Sequence, residues 1–133
     1  SKADPLSFEK RVTLFMNGII ILKNHFLWGV GLGHYLISAG QLESPYPYFF
    51  LQPVHNIIVL FLAQTGAIVG LILTLPLVKK SLPYWKKPVF FFCVLALFIT
   101  GMFDHYWLTL QQNWLLLGTV FGFLTFEQST PSI

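Results

Sequence analysis

Long apolar runs with almost no charge limit what this chain can become. Val54 to Val78, Val89 to Trp107 and Leu108 to Phe126 together hold Asp104 as their only Asp, Glu, Lys or Arg. Each run approaches the ~20 apolar residues that cross a hydrocarbon core of ~30 Å. Of the 133 residues, 55% are hydrophobic and only 10% are charged, against roughly 25% charged in ordinary soluble domains. So few charges cannot coat a water-facing surface. The expected fold is all-α and integral to a membrane, one unit with about three transmembrane helices. Cys93, the single cysteine, lies inside the apolar run 90–99 and reads as a small buried hydrophobe.

The basic residues give an orientation. Lys79, Lys80, Lys86 and Lys87 make up half of the eight lysines and arginines, and all four fall in the connector 79–88 beside an interfacial Tyr84-Trp85 pair. By the positive-inside rule that connector is cytoplasmic. It accounts for the net charge of +3 and the pI of about 9.1 without nucleic acid. Residues before Val54 and the turn from Asp104 to Asn113 are then outside. That outer turn carries no lysine or arginine, and Trp107 and Trp114 suit an outer aromatic belt.

Three regions follow: an extracytoplasmic helix and loop over 1–53, a three-helix transmembrane region over 54–126 and a cytoplasmic tail over 127–133. In residues 12–30, Asn17, Lys23, Asn24 and His25 interrupt the apolar run. Val12, Phe15, Ile19, Leu22 and Phe26 recur every three or four positions, the spacing of an amphipathic helix lying in the membrane interface. Asp4-Pro5 supplies an N-cap with proline at the first helical position, and Gly29, Gly31 and Gly33 end the helix. Residues 34–53, rich in proline and aromatics, read as an irregular outer loop. The opening Ser1-Lys2-Ala3-Asp4-Pro5 has no initiator methionine, basic n-region or apolar h-region, so a fragment of a longer protein is expected.

The chemistry-bearing residues are few. Gly29-Val-Gly-Leu-Gly33 follows a helix and not a strand, so it reads as a tight turn and not a dinucleotide fingerprint. Gly66-Ala-Ile-Val-Gly70 and Gly118-Thr-Val-Phe-Gly122 have the G-x-x-x-G spacing that lets helix backbones approach. On a continuous helix, Gly66 would lie within about 20° of His55 at 100° per residue, turning His55 toward protein.

His55, with Asn56, starts a span at the outer membrane edge. It is either a hydrogen-bonded interfacial histidine or a functional base, kept neutral by the adjoining helix N-terminus. Arg11, the only arginine, follows Lys10 on the same side. It is either a solvated surface charge or a bidentate phosphate ligand. Asp104-His105 closes the next span, and in a helix Asp104 would share a face with Gln111, and His105 with Gln112. A polar network capping the hairpin and an aspartate orienting a histidine both fit. No second ligand pair favours a metal, so no metal or other cofactor is expected. The sequence contains no H-E-x-x-H, G-x-S-x-G or P-loop, which argues against metalloprotease, serine hydrolase and nucleotide hydrolase. Arg11, His55, Asp104 and His105 nevertheless share one side in a topology drawn from lysines alone.

At these residues the sequence resembles the O-antigen ligase and O-antigen polymerase superfamily of bacterial membrane glycosyltransferases. The resemblance is carried by Arg11 leading into a helix, then Phe26-Leu-Trp-Gly-Val-Gly-Leu-Gly-His-Tyr35, an aromatic loop, and Pro53-Val-His-Asn-Ile-Ile-Val-Leu-Phe-Leu-Ala-Gln-Thr-Gly66. It closes on Phe103-Asp-His-Tyr-Trp-Leu-Thr-Leu-Gln-Gln112. It implies the C-terminal part of a larger GT-C-like, multi-pass bundle in the bacterial cytoplasmic membrane, with further N-terminal helices as its partners. The implied reaction moves a glycan from undecaprenyl diphosphate to an acceptor hydroxyl on the periplasmic face, without metal or nucleotide sugar. Carried onto this sequence, Arg11 would bind the diphosphate and His55 would activate the acceptor or contact the donor. Lys10, Asn56, Gly31, Gly33, Asp104 and His105 would shape the binding site. Ligases of this family also use a second arginine in the outer loop. Residues 12–53 contain none, and Lys23 is a poor bidentate substitute. A divergent or polymerase-like member, or a cation from the upstream part, would explain this. The alternative is a non-enzymatic membrane module, part of a transporter or assembly subunit, with the same polar residues lining a cavity. A transporter would want charged or broken-helix positions near the midplane.

Overall fold

The computed structural model describes residues 5–42, 51–110, 113, 115–116, 118–119 and 122. Among them the chain is all-helical, without a strand. The helices are α1 (Pro5–Asn24), α2 (Tyr35–Gly40), α3 (Ile57–Ser81), α4 (Pro88–Phe103) and α5 (Tyr106–Thr109). A 3-10 turn, Leu82–Tyr84, follows α3, and Tyr84 and Trp85 pack their rings on Phe90 of α4.

The first half of α3 is the hub. On one side Gly18 of α1 approaches it so closely that a Cβ there would lie 2.9 Å from Val59 Cγ1. On the other, a Cβ on Gly101 of α4 would lie 2.7 Å from Ile57 Cγ2. Glycine at both positions removes the side chain that would hold the helices apart. Ile21, Tyr35, Ala39, Val54, Val59, Leu60 and Ala63 form the buried core between α1, α2 and α3.

Helix-to-helix approach therefore uses Gly18 and Gly101, while Gly66 of the first G-x-x-x-G motif is approached instead by the backbone of Leu27 and Gly29. A Cβ on Gly70 would meet Thr65, Phe61 and Leu62 of its own helix, and one on Gly118 or Gly122 would meet nothing within 4 Å. Gly66 is where α3 breaks: its φ of 67° and ψ of 178° lie in a region only glycine occupies. His55 lies outside the helix, before its Asn56 cap. The expected shared helix face of His55 and Gly66 does not exist.

The glycine-rich turn fills the break. Val30 N donates to Ala63 O (2.9 Å) and Gly31 N to Gln64 O (2.9 Å). In return Ala67 N donates to Phe26 O (2.8 Å) and Ile68 N to Leu27 O (3.1 Å). Gly33 N adds a bond to Gln64 Oε1 at 2.6 Å. Gly29, Gly31 and Gly33 all have positive φ, so the tight-turn reading holds and gains a purpose. The turn supplies partners to groups that the broken helix would leave unsatisfied.

On α1, Gly18 and Ile21 are buried and Ile19 and Leu22 pack beside them, because the glycine face is the one that fits against α3. Val12, Phe15 and Phe26 of the expected interfacial stripe are exposed. The outer loop is also less irregular than its composition implies, since α2 contributes Tyr35 and Ala39 to the core. Residues 43–50 lie outside the described residues, as does Asp4.

Among the described residues, one helical stretch, Ile57–Tyr84, is long and apolar enough to cross a bilayer, with a mean hydropathy of 2.3. Beyond the break its side chains face outward: Leu71, Ile72, Leu73, Leu75, Leu77 and Val78 are all exposed. The second expected span is shorter than its apolar run. α4 has 16 residues, about 24 Å at 1.5 Å per residue, and stops because Asp104 adopts an extended backbone (φ −152°, ψ 153°). The expected third span and cytoplasmic tail lie largely outside the described residues.

Candidate functional site

The site forms where three element ends meet. Asn56 has the extended backbone of an N-cap, and its Oδ1 accepts from Ile58 N (3.1 Å) and Val59 N (3.0 Å). Its Nδ2 donates to Met102 O of α4 at 3.3 Å. One buried side chain thus caps α3 and ties it to the last turn of α4. His55 precedes this cap, and Asp104 and His105 follow the tied turn, so the two sequence pairs converge.

His105 donates its backbone N–H to Asp104 Oδ1 (2.7 Å), and its Nδ1 lies 2.9 Å from the same oxygen. His55 Nδ1 lies 3.6 Å from that oxygen, an electrostatic contact longer than a hydrogen bond. The two imidazoles meet edge to face with centroids 5.0 Å apart. His105 is buried at 8% exposure, while His55 is partly open. Both rings present Nδ1 to one carboxylate oxygen, which favours the Nδ1–H tautomer and leaves Nε2 unprotonated.

The electrostatics favour a neutral His55 and an ionised Asp104. Burial pushes the His55 pKa down, and His105 and Arg11 push the same way against the opposing pull of Asp104. The direction is the one read from the sequence, but burial leads, not the helix end. At Asp104, burial alone would raise the pKa. Hydrogen bonds from the His105 side chain and backbone outweigh it and hold the carboxyl below its ordinary range.

His55 opens onto a groove of about 230 Å³ that also holds Arg11. Its walls are Val12 and Phe15 of α1, Val54, and Met102 and Phe103 of α4. Arg11 reaches it because α1 crosses the start of α3. Lys10 does not line it. Asn56 is spent on its cap, while Gly31 and Gly33 serve the α3 break. These three support the scaffold and do not line the groove. Gln111 and Gln112 lie outside the described residues, and the break at Asp104 removes the continuous helix that would have set them on its face.

His55 is the third member that joins Asp104-His105. Its ligand-capable atom and theirs all lie within 4.8 Å of one another. The sequence separates His55 and Asp104 by the whole of α3 and of α4, so no local spacing could announce the cluster. The chain matches no family model, no curated protein and no solved structure.

Proposed function

We propose that this chain is the catalytic part of an integral membrane glycosyltransferase. It moves a glycan from undecaprenyl diphosphate to an acceptor hydroxyl at the extracytoplasmic face of the bacterial cytoplasmic membrane, as an O-antigen ligase or polymerase does. The observation that carries this reading is the convergence of Arg11 and His55 on one apolar-walled groove. Diphosphate-linked lipid donors need that combination: a cation for the leaving group, a base for the acceptor and an apolar wall for the chain. The exposed apolar residues of α3 and α4 support a bilayer setting with further helices around them.

In this mechanism His55 Nε2 removes the acceptor hydroxyl proton as the oxygen bonds to the anomeric carbon of the donor sugar. The bond from that carbon to the diphosphate oxygen breaks, and the oxygen leaves with the electron pair. Arg11 stabilises the charge growing there. Asp104 steadies the imidazolium that forms, so no metal enters the transfer step.

A transporter would need groups freed at a broken helix. α3 is broken at Gly66, but its backbone partners are taken by the glycine turn, which leaves nothing for a substrate there. The test uses the full-length gene in its host, with Arg11→Ala and His55→Ala made singly and membrane abundance checked. Loss of a general base typically lowers rate ~10²–10⁴-fold, so long surface glycans are expected to vanish or stay on the lipid carrier. Normal protein levels with unchanged glycans would overturn the reading in favour of a non-enzymatic module.

A further inference from the structure

We propose that His55, Asp104 and His105 form a binding site for a zinc-type divalent transition-metal ion, with its fourth position open to the groove. The sequence weighed against a metal because Asp104-His105 stood without further ligands, and the fold brings in His55 as the third. Two imidazole nitrogens and one carboxylate oxygen within 4.8 Å are a ligand set of the kind that open zinc sites use.

The distances are near those required. Zinc-to-ligand bonds of about 2.0–2.2 Å place tetrahedral ligand atoms roughly 3.4 Å apart. The Asp104 oxygen lies 2.9 Å from His105 Nδ1 and 3.6 Å from His55 Nδ1, on either side of that value. His105 is fixed by burial and by its backbone bond to Asp104. His55, in the bend before the α3 cap, is the partly exposed member that can close the remaining gap by rotation about its own side-chain bonds.

Ligand type decides the metal. Imidazole-rich sites suit zinc, copper and nickel, whereas magnesium and calcium want oxygen ligands. Arg11 disfavours any cation nearby, but it is exposed and screened by solvent, while Asp104 supplies a compensating negative charge at first contact. Binding through Nδ1 requires each histidine to carry its ring proton on Nε2.

That tautomer change has a consequence which rests on the transfer reading, although zinc binding itself does not. A histidine bound to metal through Nδ1 carries its proton on Nε2 and cannot accept one from a hydroxyl. Zinc therefore inhibits transfer.

The experiment measures binding directly, apart from activity. The full-length protein, purified in detergent and stripped with chelator, is titrated calorimetrically with zinc chloride and separately with magnesium chloride. One zinc equivalent and no magnesium binding are expected. Asp104→Asn, which preserves shape, and His105→Ala should each weaken zinc by at least ~100-fold, since even loss of an outer partner of a metal ligand costs 10–100-fold. Thermal unfolding without metal checks that each variant is folded, and the isosteric Asp104→Asn decides the matter if His105→Ala is not. Absence of the zinc equivalent, or parental affinity in folded Asp104→Asn, would overturn the site. Zinc binding without inhibition would leave the site standing and count against His55 as the base.

Discussion

Replacing Gly66 by alanine tests the central feature of this fold, the break in α3 filled by the glycine turn. A Cβ there would strike Gly29 N and the carbonyl of Leu27, which are backbone atoms and cannot rotate away. The φ of 67° with ψ of 178° alone costs a non-glycine residue about 1–3 kcal/mol. Relief of the clash requires the turn to withdraw, breaking two to four of the hydrogen bonds that cross the break, each worth about 1 kcal/mol net. The total falls between about 3 and 7 kcal/mol, a large share of the roughly 5–15 kcal/mol that holds a domain folded. The assay is thermal or denaturant unfolding in detergent together with membrane abundance. Gly33→Ala separates strain from clash: its φ is +78° but nothing lies within 4 Å of its Cβ, so it should lose only about 1–2 kcal/mol. Gly118→Ala, with neither strain nor a close neighbour, should be near neutral. A Gly66→Ala protein within about 1 kcal/mol of the Gly118→Ala control would refute the interlock.

Two further outcomes follow from single side chains. Asn56→Ala removes a cap that accepts two backbone N–H bonds and should cost about 1–2 kcal/mol by thermal unfolding. It should also lower transfer by loosening His55 against Asp104, while Asn56→Asp keeps the cap acceptor and recovers most of the stability. Tyr35 is buried with its hydroxyl toward the Val54 backbone, short of a well-formed hydrogen bond, and burial raises its pKa from 10.0 to about 12. Below pH 10 the phenol is neutral in both states and contributes no pH dependence. From pH 10 to 12 only the unfolded chain ionises, so stability should fall by about 3 kcal/mol at 1.36 kcal/mol per unit. Unfolding midpoints measured across that range should flatten in Tyr35→Phe, and an equal fall in both proteins would assign the loss to other groups.

The apolar runs were legible because they depend on local chemistry, run length alone, whereas Asn56 was read as a binding-site residue and its role as the α3 cap emerges only from the fold. The glycine turn was also legible, since three alternating glycines leave few conformations but a tight one. What it docks against was not. A G-x-x-x-G spacing assumes a continuous helix, and only the approach of residues 26–31 makes a broken α3 cheaper than an intact one. The face that α1 turns toward α3 was not legible either, because the contact centres on Gly18, whose missing side chain lets Val59 approach and carries no weight in a count of apolar residues. At the site, Arg11, His55, Asp104 and His105 were recognisable as ionisable groups beside apolar runs. Their meeting is a tertiary fact.

Asn56 explains why that meeting is held in register. His55 sits one residue before it, while Met102, whose carbonyl it binds, sits two residues before Asp104. The single amide therefore sets the separation of base and carboxylate through two short, stiff stretches of chain. Its position at an N-cap matters, because the cap acceptor bonds fix the amide plane and aim Nδ2 at α4. A glutamine, one methylene longer, could reach Met102 or cap α3, but not do both in the same rotamer. The same amide controls the zinc ligand spacing and the orientation of the proposed base. Moving it should therefore alter metal affinity and transfer together, whereas Arg11, outside this chain of contacts, should affect transfer far more than metal binding.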